Sequence, residues 1–304
     1  MATMQDVAAL AGVSVSTVSY ALSDTRPVSS STKARIGEAM AELGYQRNAA
    51  ARSLASRRTH VLALTLPAMA QGIGGTVSEF VASAAETAGR HGYHLVLWPL
   101  GPNQSQRIRD LARQGQADGV LLMEVRLEDL RVDALRATGL PFTMIGRTSQ
   151  VAGLSYVDVD FARTTDDAVG HLAALGHQRI AFLNHSAASR ADGYGPTLRA
   201  DEGYAAAMRR RGLAPHAVWS QENPGAGRAA MSELLAREPG LTAVITMNEI
   251  ATFGAMVELQ VRGRQIPRDF SILSIVSSPG VAAMSNPALT TMASPGADLG
   301  RARR

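Results

Sequence analysis

Residues 14–22 read SVSTVSYAL, a run of small, hydroxylated and β-branched residues inside sequence that looks helical. Val15, Val18 and Leu22 recur at the spacing of one helix face, and Ser14 is a favourable N-cap residue. Serine and threonine hydroxyls compete with the backbone for hydrogen bonds, which weakens a helix. This run is therefore typical either of a solvated loop or of a weak helix whose hydroxyls have a binding role. The flanking sequence decides between these interpretations.

Short helices are predicted on both sides of this run. Thr3 with Asp6 is typical of a capping pair, and Gly12 is typical of a helix end. Ser29 can cap a third helix with apolar residues at helical spacing, which Gly44 closes. Two short helices separated by three residues are typical of a helix-turn-helix, whose second helix enters the major groove of DNA. Hydroxyls on such a helix can bind phosphates or base edges.

The composition is that of a globular protein, with 46% hydrophobic and 18% charged residues in 304. The absence of cysteine excludes disulfides, thiolate metal sites and cysteine nucleophiles. The first 60 residues hold seven Lys and Arg against four Asp and Glu, a net of +3 out of +4 for the whole chain. This imbalance indicates a polyanionic partner for the N-terminal segment.

From Val61 onward, apolar runs of strand length alternate with helical stretches, in two successive series. Continuous apolar strands between helices are typical of parallel sheets covered on both faces. We therefore predict a small all-α helix-turn-helix headpiece followed by an α/β body of two doubly wound parallel-sheet subdomains. Ligands of such folds lie at the carboxyl ends of the strands, so we expect a binding cleft between the two subdomains.

Enzymatic and metal-binding motifs are incomplete. GIGG at 72–75 lacks both the full dinucleotide-binding spacing and the lysine of a phosphate loop. There is no G-x-S-x-G or H-E-x-x-H motif, and His91 with His94 has no evident third ligand. We expect no enzyme, cofactor or metal. A periplasmic solute-binding protein would share the body but would need a signal sequence, and MATMQDVAAL has neither a signal pattern nor a membrane span, so we expect a cytoplasmic protein.

Four segments together resemble the lactose/galactose repressor (LacI/GalR) family: QDVAALAGVSVSTVSYAL (5–22), PVSSSTKARIGEAMAELGYQRNAAARSL (27–54), LGHQRIAFL (175–183) and TMNEIATFGAM (246–256). The resemblance covers the whole chain and implies a homodimeric transcription regulator, most often a repressor. The headpiece would bind double-stranded DNA at a palindromic operator, and the body would be like a periplasmic sugar-binding protein.

The resemblance also implies domain boundaries. The headpiece would span 1–46 and the hinge helix 47–59, a segment that from its residues alone could equally be a flexible basic linker. The body would span 60–304. Its first subdomain would cover 60–158 with 289–304, and its second 159–288.

By the family's pattern, Val15 and Ser16 would contact bases, and the hydroxyls of neighbouring residues would fix the helix on phosphates. Leu54 would wedge into the minor groove, next to Ala51. Family members often carry arginine where this chain has Tyr20, so its operator should differ; Tyr20 could instead pack on the headpiece core or a phosphate. The full set of implied DNA contacts is Thr3, Ser14, Val15, Ser16, Thr17, Ser19, Tyr20, Ser29, Arg47, Asn48, Ala51, Arg52 and Leu54.

The implied effector, a sugar or related polar metabolite, has fewer matching residues. MAQGIGGTV at 69–77 lacks the aromatic residue that relatives stack on a sugar, and SIVSS at 274–278 lacks their carboxylate. We infer that the effector is not an ordinary hexose bound in the usual way, or that none binds. Each remaining candidate could also be a capping or solvated residue: Gln71, Arg147, Asp160, Arg199, Asn248 and Glu249.

Overall fold

The computed structural model describes residues 2–23, 26–45, 58–66, 75–101, 103–293 and 298. Two compact units make up the chain: Met1–Thr59, which includes the headpiece, and His60–Arg304, the body.

The headpiece contains three helices, α1 (Met4–Ala11), α2 (Val15–Ser23) and α3 (Ser30–Glu42). The predicted capping pair is confirmed: Thr3 Oγ1 accepts from the Asp6 N–H at 3.3 Å, and the Thr3 N–H donates to Asp6 Oδ2 at 2.8 Å. Gly12 ends α1 in the left-handed conformation, with φ of 63°. Ser29 caps α3, since its Oγ accepts from the Thr32 N–H at 3.2 Å.

A small apolar core holds these helices together. Val7, Val18 and Ile36, one from each helix, are 0%, 0% and 2% exposed. Val18 is the only fully buried residue of α2. The core therefore uses one side of α2, and the rest of that helix is available to other molecules.

In the body, the first sheet has the strand order β2–β1–β3–β4–β5, and all its strand pairs are parallel. Its strands are β1 (Val61–Leu66), β2 (His94–Pro99), β3 (Gly119–Leu122), β4 (Phe142–Ile145) and β5 (Tyr156–Val157). The accompanying helices are α4 (Gly75–Arg90), α5 (Ser105–Arg113) and α6 (Leu130–Thr138).

The second sheet has the order β10–β9–β8–β6–β7 and is also parallel. Its strands are β6 (Ile180–Asn184), β7 (His216–Trp219), β8 (Ala243–Thr246), β9 (Ser271–Ser277) and β10 (Thr290–Ala293). Its helices are α7 (Phe161–Ala174), α8 (Ala187–Ala191), α9 (Gly195–Arg210), α10 (Pro224–Arg237), α11 (Glu249–Val261) and α12 (Pro279–Ala282).

Each sheet has an apolar cluster on both faces, which is why its strands read as continuous apolar runs. The predicted α/β body with two parallel sheets is confirmed. On one face of the second sheet, α10 and α11 pack against each other through glycines. A Cβ on Gly254 would overlap the carbonyl oxygen of Pro224, and one on Gly227 would overlap that of Ala251.

Several features differ from the sequence-based expectations, among them the short strands β5 and β10, which were not predicted. Strand β7 was not predicted either, because HAVW contains only three apolar residues, between His216 and Ser220. We placed 289–304 in the first subdomain, but β10 pairs with β9 in the second sheet, with Thr290 beside Leu273. Packing explains this correction: Met292 lies against the apolar cluster of the second sheet.

Candidate DNA-binding surface and effector cavity

The N-terminal turn of α2 presents hydroxyls on its open side. Ser14, Val15 and Ser16 are exposed, Val15 by 41%. Ser14 Oγ accepts from the Thr17 N–H at 3.1 Å and lies 2.8 Å from both Ser16 Oγ and Thr17 Oγ1. Ser14 therefore caps α2, as predicted, and gathers the three hydroxyls into one cluster. Ser19 is half-buried further along the helix, where its carbonyl accepts from Ser23 Oγ at 2.7 Å.

Tyr20 is half-buried and carries a cation on its ring. The guanidinium carbon of Arg26 lies 5.0 Å from the ring centroid, which is a cation–π distance. Tyr20 thus places a positive charge at the end of α2, although it is not itself the arginine that many relatives carry there.

Thr3 and Ser29 both act as N-caps. The Thr3 N–H and hydroxyl hold the pKa of the Asp6 carboxyl below its usual value, because both donate to the charged form. A helix N-terminus attracts phosphate, so the two caps are compatible with DNA contacts. The other implied contacts, Arg47, Asn48, Ala51, Arg52 and Leu54, lie outside the described residues.

A cavity of about 210 Å³ lies in the body at the carboxyl ends of both sheets. Met123 and Glu124 follow β3, Asp158 follows β5, and His185 follows β6. This is where the expected cleft between the subdomains should lie.

Asn248 and Glu249, two of the predicted effector residues, line this cavity. Asn248 is 1% exposed and caps α11, with Oδ1 accepting from the Ala251 N–H at 3.1 Å and Nδ2 donating to the Ser220 carbonyl at 3.0 Å. Glu249 joins the subdomains, since its Oε2 accepts from the Gly75 N–H and its Oε1 from the Ser278 N–H, both at 2.9 Å.

The other predicted effector residues are not among the described residues that line the cavity. Asp160 is an exposed N-cap of α7, and its Oδ1 accepts from the Arg163 N–H at 3.0 Å. Arg147 and Arg199 lie behind the wall, where their nitrogens are 3.1 and 3.5 Å from Asp158 Oδ2. Burial raises the pKa of Asp158, while the two guanidinium groups act in the opposite direction. Gln71 lies outside the described residues.

Besides Asp158, four titratable cavity residues were not predicted from the sequence: Glu124, His185, Tyr194 and Glu222, called the acidic cluster below. His185 Nδ1 lies 2.9 Å from Glu222 Oε1, and the His185 and Tyr194 ring centroids are 6.0 Å apart. The adjacent His185 ring lowers the pKa of Glu222. Desolvation raises the pKa of Glu124, and the negative charge of Glu222 raises it further. Desolvation also raises the pKa of Tyr194.

The position of Glu124 depends on a buried arginine. Glu124 has a φ of 52°, a left-handed conformation that is uncommon outside glycine. Arg131 is fully buried and donates to the Glu124 carbonyl at 2.8 Å, while its other contacts include an ion pair with buried Asp129 at 2.7 Å. This pair fixes the turn that points Glu124 into the cavity. No periodic sequence pattern predicts such a turn. Three members of the acidic cluster, Glu124, His185 and Glu222, do follow the ends of strands.

Within the described part of the chain, no three His, Asp or Glu side chains are arranged to hold a metal ion. Across the same residues, no single helix is long and apolar enough to cross a membrane; α1 and α2 reach that length only as a pair bent by 102°.

A helix-turn-helix headpiece on a periplasmic-binding-protein-like body defines a DNA-binding transcription regulator. Residues 3–48 match the model of bacterial regulatory proteins of the lacI family, and residues 169–303 match the periplasmic binding protein-like domain. The HTH-type transcriptional regulator AglR of Rhizobium meliloti (strain 1021) is 32% identical over 288 residues, covering 89% of this chain and 76% of AglR. The chain belongs to the LacI family.

Two solved structures are similar over the chain. A complex of the transcriptional regulator CelR with cellobiose is 27% identical, with a TM-score of 0.70, and the match covers 99% of this chain and 90% of CelR. The Lac repressor dimer bound to operator and the anti-inducer ONPF has a TM-score of 0.84 at 23% identity, covering 99% and 89% of the two chains, and shows the shared fold. The relatives are regulators, which confirms the prediction of a non-enzymatic protein.

Proposed function

We propose that this protein is a homodimeric repressor that binds a palindromic DNA operator, with α2 in the major groove and a small molecule in the body cavity altering its affinity. The observation that carries the DNA-binding part is the exposed hydroxyl cluster of Ser14, Ser16 and Thr17 on a helix anchored by Val18. Small side chains let the helix approach base edges closely, and the hydroxyls supply donors for phosphates.

Exposed apolar side chains support the homodimer. Strand β2 is an edge strand of the first sheet, and Val96 and Leu97 are 39% and 40% exposed. In the second subdomain, Val257, Val261 and Met284 are 45%, 64% and 80% exposed. An uncovered edge with apolar side chains favours association, and a second copy of the chain would cover these groups. A two-fold dimer would present two headpieces, and this favours a palindromic operator.

The cavity and the CelR–cellobiose complex support a small-molecule effector. A ligand that closes the two subdomains on each other can shift the regulator between two states only if it binds one of them better. A regulator without an effector stays the second candidate, because the sugar-binding aromatic and carboxylate of relatives are absent from 69–77 and 274–278.

Selection of bound DNA from a random pool tests the proposal. At low salt we expect one enriched palindrome whose half-sites are about one helical turn apart, or a multiple of it. The same selection with the body alone, 60–304, is the control and should enrich nothing. If the full chain enriches no palindrome, the proposed function is wrong.

Operator affinity should fall steeply with salt. The first 60 residues carry seven Lys and Arg, and each phosphate they neutralise releases counterions, so the logarithm of affinity should fall linearly with the logarithm of salt concentration. If about six phosphates are neutralised, affinity falls by about 1,000-fold between 50 and 200 mM salt. Fluorescence anisotropy with the selected operator measures this slope. A flat plot would contradict the electrostatic part of the proposal.

The Leu54→Ala variant should lose specific operator binding and keep a folded body. Leu54 lies outside the described residues, and the prediction rests on the family resemblance. An apolar wedge in the minor groove unstacks a base step and bends the duplex onto more protein surface, which alanine is too small to do. Anisotropy on operator and on scrambled DNA, with thermal unfolding of the body as the control, measures the effect. Unchanged operator affinity would contradict the wedge.

A further inference from the structure

The charges around the cavity are almost all negative. Its described lining contains Glu124, Asp158, Glu222 and Glu249, with His185 but without lysine or arginine. Residues 67–74, which lie outside the described residues, read PAMAQGIG and carry no charged side chain. A recessed cavity with carboxylates of one sign focuses a negative potential on whatever enters it.

Two of the four carboxylates already have partners in the protein. Asp158 is paired with Arg147 and Arg199, and Glu249 accepts hydrogen bonds from backbone and side-chain donors. Glu222 has His185, which supplies one positive charge at most. Among the described residues, none donates a hydrogen bond to the Glu124 carboxylate, and the charges of His185 and Arg131 lower its pKa by less than desolvation raises it. The Glu124 and Glu222 side chains are both exposed, Glu222 by 56%, so a ligand in the cavity can reach their carboxylates and bring them a donor or a charge.

The remainder of the cavity wall is mostly apolar. A neutral polyol has hydroxyls around its whole ring and needs hydrogen-bonding partners on several sides. Here the polar lining groups outside the acidic cluster, Thr76, Asp158, Asn248 and Glu249, already have partners within the protein. In the acidic cluster, the Tyr194 hydroxyl has no hydrogen bond to any described residue. The apolar lining residues are Val77, Phe80, Met123, Ile145, Val159, Phe161, Met247, Ile250 and Val276.

We propose that the cavity binds an organic cation, an amine whose ammonium group lies between Glu124 and Glu222 and whose apolar body lies on the wall opposite. The Tyr194 hydroxyl accepts a further ammonium hydrogen. Anionic ligands such as sugar phosphates are repelled by the two carboxylates. This proposal rests on the proposed function, because it assigns the chemistry of the effector in the same cavity.

Three compounds with the same phenyl body and different head groups test the charge: phenethylamine, 2-phenylethanol and phenylacetate. Thermal unfolding and calorimetric titration of the full chain should show binding of the amine, with at least tenfold weaker binding of the alcohol and none of the acid. A hydrogen bond to a charged partner is stronger than a neutral one, which gives this order. Glucosamine against glucose and cellobiose repeats the comparison on a sugar body.

Isosteric glutamine variants test whether the amine binds at the two cavity carboxylates. Glu124→Gln and Glu222→Gln should each reduce the preference for amine over alcohol by tenfold or more, without changing the far-ultraviolet circular dichroism. Glu86→Gln, an exposed position on α4 outside the cavity lining, is the matched control and should keep the full preference.

Several outcomes would overturn the cation proposal: equal or tighter binding of the alcohol, acid, glucose or cellobiose, no binding of either amine, or an amine preference that survives both glutamine variants. The DNA selection is independent of these titrations. An enriched palindrome together with tight glucose or cellobiose binding would support the proposed regulator and contradict only the cation proposal. The absence of an enriched palindrome would contradict the proposed regulator, whatever the amine titrations show.

Discussion

Replacing Ser16 with glutamate is expected to lower operator affinity by at least about 100-fold while leaving the headpiece folded. Ser16 is exposed on the first turn of α2 and contributes nothing to the headpiece core. In the proposed complex a carboxylate at this position would face base edges and phosphates, and like charges across an interface cost several kcal/mol. The helix itself should tolerate the change, because acidic residues are favourable in a first turn.

Ala41→Glu is the matched control for Ser16→Glu. Ala41 is exposed on the last turn of α3, away from the hydroxyl cluster, and the substitution makes the same change in net charge. We expect it to weaken operator binding far less, by the general electrostatic effect alone. Anisotropy at one fixed salt concentration compares the two variants, with circular dichroism to show that both headpieces are helical. Equal losses in both would mean that α2 is not the helix that contacts the bases.

The Gly254→Ala variant should lose about 3 kcal/mol of the free energy of unfolding of the body. Besides the overlap with the Pro224 carbonyl oxygen, the added Cβ would lie 2.7 Å from the Pro224 carbonyl carbon and 2.8 Å from the Arg228 nitrogen. These are backbone atoms, so no rotamer change can relieve the contact. To make room, α10 would have to move, and its residues Met231 and Leu234 are 0% and 1% exposed in the core of the second sheet.

Gly89→Ala provides the comparison for Gly254→Ala. Gly89 lies in α4, and a Cβ there would have no atom within 4 Å. Alanine should stabilise this helix by about 0.5–1 kcal/mol, because it restricts the unfolded chain. Urea unfolding followed by tryptophan fluorescence measures both variants, and both tryptophans, Trp98 and Trp219, lie in the body. If Gly254→Ala unfolds at the wild-type urea concentration, the close packing of α10 and α11 is wrong.

Local sequence signals predicted most of the fold. The caps at Thr3, Ser14 and Ser29 depend on residues three positions away, so the sequence contains all that is needed to find them. The long apolar runs at β1 and β9 were equally clear. Strand β7 was missed because it has only three apolar residues, between His216 and Ser220, and with it Glu222 was missed as a residue that follows a strand end.

Asp160 and Glu124 show which properties of a site residue depend on tertiary structure and cannot be predicted from the sequence. Asp160 was predicted to be a cleft residue, but its carboxylate accepts a hydrogen bond from the Arg163 N–H, a local contact three residues away. Glu124 was not predicted to be a site residue. It lines the cavity because buried Arg131 holds its backbone at a positive φ. Such a contact depends on how a helix packs against a strand end, and no spacing encodes that.

The sequence by itself determined the family, the two parallel sheets and the hydroxyl-bearing face of α2, because caps and apolar periodicity act within a few residues of the chain. Only the tertiary structure decided which strand ends meet at the cavity, where β10 pairs and which carboxylates are left without partners. These are properties of groups far apart in sequence, and their charges interact only after folding brings them close together around one cavity.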